Sequence, residues 1–177
     1  LRERWLKSYP DDKRKAFCFD GLCYNGEIYN DGKNAHQGNE EKLWNNTDRR
    51  ILFLMKDTNN NSDSDYREWH WRNINHNFFN CIFKWLEGLS RISKDFIPTM
   101  ENGDYATVPN AVVTKYPLAI VNIKKISGTS FVSNKTLYEY ANRDKAFLQE
   151  QIRGILHPNT IVCGGGKGTV LNIAKNI

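Results

Sequence analysis

The chain has 177 residues, 40% of them hydrophobic, which is enough to bury one sizeable core, so a single domain is the first expectation. No stretch approaches the roughly 18 to 20 apolar residues that span a bilayer, and no segment resembles a signal peptide, so a cytoplasmic protein without a membrane partner is expected. The net charge of +5, from 25 basic and 20 acidic residues, is compatible with a phosphate-rich partner, because cationic surfaces gain from counterion release on nucleic acid.

The chain begins at Leu1 rather than Met, so a native N-terminus upstream is expected. Its four cysteines, Cys18, Cys23, Cys81 and Cys163, contain no C-x-x-C pair, and His36, His70, His76 and His157 are scattered. Neither set has zinc-site spacing. Cys81 and Cys163 lie in apolar runs and are expected to be buried, reduced thiols.

In chain order, Leu1 to Tyr9 predicts a short helix ended at Pro10. Residues 24–48 read as loop, with turn pairs at Asn25-Gly26, Asp31-Gly32 and Gly38-Asn39. Residues 1–50 are therefore expected to be an N-terminal extension packed on the core, with the main domain spanning 51–177. Ile51 to Met55 is an unbroken apolar run, as expected of a strand covered on both faces in a parallel sheet. Similar runs occur at Leu118 to Ile123 and at Thr160 to Cys163.

Between these runs the apolar period becomes helical. Phe78, Ile82, Trp85 and Leu89, with Phe79, Phe83 and Leu86, predict one inward face. A long irregular connection is expected from Arg91 to Tyr116, since Pro98, Gly103 and Pro109 oppose a continuous element. Thr136 and Glu139 have capping-box spacing, and Leu137, Ala141, Leu148, Ile152 and Ile155 predict one stripe ending near Gly154. Alternating strands and helices predict an α/β fold of three layers, α/β/α, around a central parallel sheet.

Ligands of such sheets bind beyond the carboxyl ends of the strands. Asp57 leaves the first strand in a polar loop, where it either forms a turn or cap or serves a site. Asn122 lies within an apolar strand, where an unpaired amide costs about 1–3 kcal/mol, so it either bonds a neighbouring loop or faces a ligand. Lys124, Lys125, Ser127 and Thr129 follow; they either hold phosphates or form a solvated loop. Gly164 to Thr169 lacks phosphate-loop spacing, and a tight strand-to-helix turn is the cheaper explanation.

The segment Ala119, Ile120, Val121, Asn122, Ile123, Lys124, Lys125, followed by a helix carrying Phe147, Leu148, Gln151 and Ile152, then Pro158, Ile161, Val162 and Gly164, resembles the uracil-DNA glycosylase superfamily. The likeness covers roughly residues 50–170, and it implies that fold, a DNA-repair role and hydrolysis of an N-glycosidic bond after base flipping. Met55-Lys56-Asp57-Thr58-Asn59 stands where the family has Gly-Gln-Asp-Pro-Tyr or Gly-Glu-Ala-Pro-Gly; Asp57 coincides with the water-activating carboxylate of the first version, while the Gly and Pro are absent. By the same likeness Asn122 reads uracil and Trp71 stacks on the flipped base, although Trp69, His70 and Trp71 serve equally as core or surface aromatics.

Some relatives hold an iron–sulfur cluster on four cysteines. Here Ile126 and the neighbourhood of Asp144 stand at the later pair, so no cofactor is expected. Too few residues follow Gly166 for the family's fourth strand and its His-containing loop; either the chain is incomplete or this relative lost that step. The expected partner is uracil-containing DNA, single- or double-stranded, met by a monomer; the alternative is a non-catalytic relative that binds nucleic acid or a nucleotide.

Overall fold

A computed structural model of the chain describes residues 1–29, 34–58, 64–68, 77–98, 109–128, 131–165 and 168–177. Its elements are α1 (Arg2–Lys7), α2 (Asp11–Arg14), β1 (Cys18–Phe19), β2 (Gly21–Leu22), α3 (Glu40–Asn46), β3 (Ile51–Asp57), β4 (Ser64–Asp65), α4 (Asn77–Arg91), α5 (Pro109–Lys115), β5 (Ala119–Lys124), α6 (Asn134–Arg143), α7 (Lys145–Gln149), a π-helical segment Glu150–Leu156, β6 (Thr160–Cys163) and α8 (Thr169–Ala174). No helix among the described residues is long and apolar enough to cross a membrane.

The mixed α/β class is as expected. Four strands form one sheet in the order β2-β5-β3-β6, and the sheet is mostly parallel. Ile51 to Leu54 of β3 are all buried, which is what the continuous apolar run requires of a strand between two neighbours. The edge strand β2 runs antiparallel to β5: the Cys18 amide donates to the Lys125 carbonyl and the Cys23 amide to the Leu118 carbonyl, each at 2.8 Å. A separate parallel pair joins β1 to β4.

Two compact units make up the chain. One comprises Leu1–Gly21, Leu52–Arg67 and Ile120–Ile177; the other comprises Leu22–Ile51 and Glu68–Ala119. The division does not fall at residue 50, because residues 1–21 are integral to the first unit: Trp5, Tyr9 and Phe17 are buried, and Trp5 stacks on Phe147 at 5.3 Å.

The second unit holds two helices where loop was expected. In α3 only Trp44 supplies a buried apolar side chain, too little periodicity to read against its Asn- and Gly-rich flanks. α5 begins at Pro109, and the proline taken as a breaker is the first helical residue, where its missing N–H costs nothing. α4 buries Phe79, Ile82, Phe83 and Leu86, whereas Trp85 is 59% exposed, so the inward face is narrower than the one expected. Arg49 closes the end of α4 by donating to the carbonyls of Leu89 and Ile92.

In the first unit, Ser133 rather than Thr136 caps α6; its hydroxyl accepts from the Thr136 amide at 3.0 Å. The apolar stripe holds through Leu137, Ala141, Leu148 and Ile152, then slips. Within the π-helical segment the His157 amide bonds the Ile152 carbonyl five residues back, and this wider turn brings Leu156 inward and leaves Ile155 55% exposed. The cysteines also reverse expectation. Cys18 and Cys23 are buried, Cys81 is exposed and Cys163 half-buried, and none of the four is joined in a disulfide.

Gly164 and Gly165 follow β6 where it crowds β3. A Cβ at Gly164 would lie 2.3 Å from the Met55 sulfur, and one at Gly165, whose φ is +118°, would lie 2.6 Å from the Lys56 side chain. The Met55 and Lys56 side chains fill the space that a Cβ would need at these two positions, and the positive φ of Gly165 itself favours glycine.

The slipped register is testable in urea. Leu156→Ala is expected to lower unfolding free energy by about 2–5 kcal/mol, and Ile155→Ala by less than about 0.5 kcal/mol. The reverse order would restore an uninterrupted α-helical register.

Candidate functional site at the strand ends

The strand order defines where a site can form. The chain leaving β3 next enters the sheet at β5 on one side; the chain leaving β5 next enters at β6, on the other side of β3. The carboxyl ends of β3 and β5 therefore flank the point at which the connections part, the usual ligand crevice of an open parallel sheet.

Asp57 and Lys124 are the last residues of those two strands. The Lys124 Nζ lies 3.4 Å from Asp57 Oδ2, with both side chains mostly but not wholly buried. The same ammonium donates to the Ile126 carbonyl and sits 5.5 Å from the centre of the Tyr140 ring. The loop beyond β5 closes on the loop beyond β3: the Gly128 amide donates to the Thr58 carbonyl at 3.4 Å, and the Ser127 amide to the Ala16 carbonyl at 2.7 Å. A Cβ at Gly128 would lie 3.0 Å from Lys124 Nζ and 3.9 Å from Asp57 Oδ2. The hydroxyl oxygens of Thr58 and Ser127 are buried and find no hydrogen-bond partner among the described residues.

Asn122 takes the first of its two open alternatives, a bond to a neighbouring loop. Its backbone amide and its Nδ2 both donate to Asp20 Oδ2, at 2.8 and 3.0 Å. The other carboxylate oxygen of Asp20 accepts from Lys125 Nζ and, at 3.3 Å, from Gln151 Nε2, which also donates to the Asp20 carbonyl at 2.6 Å. Lys125 is therefore not a phosphate contact on the surface: its side chain is 0% exposed, and its ammonium lies 4.9 Å from the Trp5 ring centre. Burial pushes its pKa below the ordinary lysine value, and the Asp20 charge opposes that shift.

A second buried carboxylate stands nearby in the same unit. Tyr9 Oη donates to Asp144 Oδ2, and Arg143 pairs with Asp144 Oδ1 at 2.9 Å while its guanidinium lies 3.5 Å from the Tyr9 ring centre. Burial raises the Asp144 pKa, against the Tyr9 hydrogen bond and the Arg143 charge. Burial also raises the Tyr9 pKa, and the hydrogen bond to Asp144 adds to the shift.

Of the residues singled out from sequence, Asp57, Lys124 and Ser127 therefore lie on the same two strand-end loops. Asn122 and Lys125 are drawn into the Asp20 cluster instead. Trp71 and Thr129, with Trp69 and His70, lie outside the described residues. Asp20 and Gln151 were missed. The available signal was an acid set in the otherwise apolar run Phe17, Cys18, Phe19, Asp20, Gly21, Leu22, a placement that demands buried partners. A cavity of about 340 Å³ lies elsewhere in this unit, lined by Leu54, Ile152, Ile161 and Ala174 among others; neither Asp57 nor Lys124 lines it.

Removing Asp20 leaves a buried ammonium unpaired, so Asp20→Ala is expected to cost about 3–5 kcal/mol in urea unfolding at pH 7, with part of the loss recovered in Asp20→Ala/Lys125→Met. For Tyr9, a raised folded pKa means a stabilisation fully present below the unfolded value of 10.0 and lost as pH rises above it. Between pH 9 and 11, Tyr9→Phe should therefore lose less stability than wild type; an equal loss in both proteins would contradict this. The chain matches no family model, no curated protein and no solved structure, so these assignments stand on geometry and chemistry alone.

Proposed function

We propose that the carboxyl ends of β3 and β5 form the working site of a uracil-DNA glycosylase-like hydrolase of the three-layer α/β/α type, which cleaves the N-glycosidic bond of uracil or a related damaged base in DNA. The observation that carries this reading is the meeting of the Asp57 carboxylate and the Lys124 ammonium where the two parallel strands end. Cleavage of that bond develops positive charge on the sugar and negative charge on the departing base. A carboxylate at Asp57 stabilises the sugar cation and accepts a proton from the attacking water. The net charge of +5 suits a polyanionic partner. In this reading the protein is a monomeric DNA-repair enzyme that flips its target base.

A second reading is favoured by one observation. Asn122, the amide the family resemblance assigns to the base edge, spends its Nδ2 on Asp20. A non-catalytic relative that binds nucleic acid or a nucleotide has no need of a free amide there.

Uracil release from single- and double-stranded DNA separates the two. The hydrolase reading predicts measurable release by wild type and a loss of about 100-fold or more in Asp57→Asn. An unchanged rate in Asp57→Asn removes the site assignment. Retained DNA binding with no release from uracil, hypoxanthine or thymine-mismatch substrates selects the binding protein.

A further inference from the structure

We propose that Lys124 receives the negative charge of the departing base, and that Gly128 is the gap through which a base oxygen reaches its ammonium. The inference rests on the hydrolase reading above and assigns the half of the reaction that Asp57 does not serve.

An ammonium has three N–H donors. Two of those on Lys124 go to Asp57 Oδ2 and the Ile126 carbonyl, and no other acceptor among the described residues takes the third. These two bonds hold the cation in place before any ligand arrives, the condition under which a charge stabilises a transition state most effectively. Gly128 sets no side-chain atom against the ammonium, where a Cβ would stand 3.0 Å from Nζ. Asn122 and Lys125 both serve Asp20, whereas the Ser127 hydroxyl on the exit from β5 has no partner among the described residues. Asp57 and Lys124 thus set a negative and a positive charge side by side, matching the opposite charges that develop across the breaking bond.

The step balances as a hydrolysis. The bond from C1′ to the base nitrogen breaks and its electron pair leaves on the base, whose oxygen hydrogen-bonds Lys124. Water adds to C1′ and gives a proton to Asp57, and the released base anion is protonated from Lys124, which regains its proton from solvent. The departing charge sits on a pyrimidine anion, so an anionic pyrimidine is the ligand class the ammonium selects.

Two measurements on the full chain test the role. The first is single-turnover uracil release by wild type, Lys124→Met, Lys124→Arg and Asp57→Asn. The second is calorimetric binding of barbiturate, a pyrimidine that is anionic at neutral pH, with uncharged uracil as comparison. Lys124→Met is expected to slow release by about 100-fold or more, with Lys124→Arg retaining part of the rate. Wild type should bind barbiturate about tenfold or more tightly than uracil, and Lys124→Met should lose that preference.

A Lys124→Met rate within about twofold of wild type, alongside an impaired Asp57→Asn, overturns the inference and leaves the hydrolase reading standing. If wild type releases no uracil, the hydrolase reading and the leaving-group role of Lys124 fall together, and barbiturate binding that depends on Lys124 then marks only an anion-binding site. Should Lys124→Met lose its melting transition, Gly128→Ala decides: weaker barbiturate binding supports the gap and its cation, and unchanged binding overturns them.

Discussion

One carboxylate, that of Asp20, organises the described core of the first unit. It is almost wholly buried and accepts from the Asn122 backbone, the Asn122 side chain, Lys125 and Gln151. Taking such a charge out of water costs several kcal/mol, and only a full set of donors offsets it. The donors come from distant parts of the chain: β5 and the residue after it, and the π-helical segment. Replacing the whole cluster with apolar side chains of similar volume need not cost stability, because desolvation can exceed the Coulombic gain. What the cluster secures is relative position. It fixes the N-terminal segment along β5, and it draws a glutamine inward from a helix whose turn is widened at that point.

That constraint decides which groups remain for chemistry. Lys124 and Lys125 are neighbours in sequence yet end in different places, as successive residues of an extended chain do. Lys125 is consumed by Asp20, and Lys124 reaches across to Asp57 on the neighbouring strand. Asn122 is consumed as well. Among the described residues a carboxylate–ammonium pair, bordered by a glycine and by the unpartnered Thr58 and Ser127 hydroxyls, remains at the crevice, and that pair is the basis of the functional proposal. Its site differs from the one the family resemblance implies, because the base-reading amide is occupied and the cation beside the acid is not fully used.

The legibility of the fold followed how much apolar surface each element buries. β3, β5 and β6 stood out as continuous apolar runs, and the centre of α4 as a helical stripe. α3 and α5 did not, since one buries little more than a single tryptophan and the other opens on a proline. The Ile155–Leu156 slip was invisible for a different reason: a π-helical turn changes the period in mid-stripe, and no residue type announces it. At the site, Asp57 and Asn122 were recognisable as polar residues at the ends or within apolar strands. Their partners were not, because Asp20 lies 102 residues from Asn122 and the pairing depends on an antiparallel edge strand of two residues.

The central claim is that a ligand meets Asp57, Lys124 and Gly128 while the Asn122 amide stays on Asp20. Nitrogen-15 NMR of the full chain, titrated with an oligonucleotide containing a non-hydrolysable 2′-fluoro uracil nucleotide, addresses it most directly. The account predicts shifts in the backbone amides of Thr58 and Gly128, with the Asn122 side-chain amide unmoved. Movement of the Asn122 amide with Gly128 silent would contradict it.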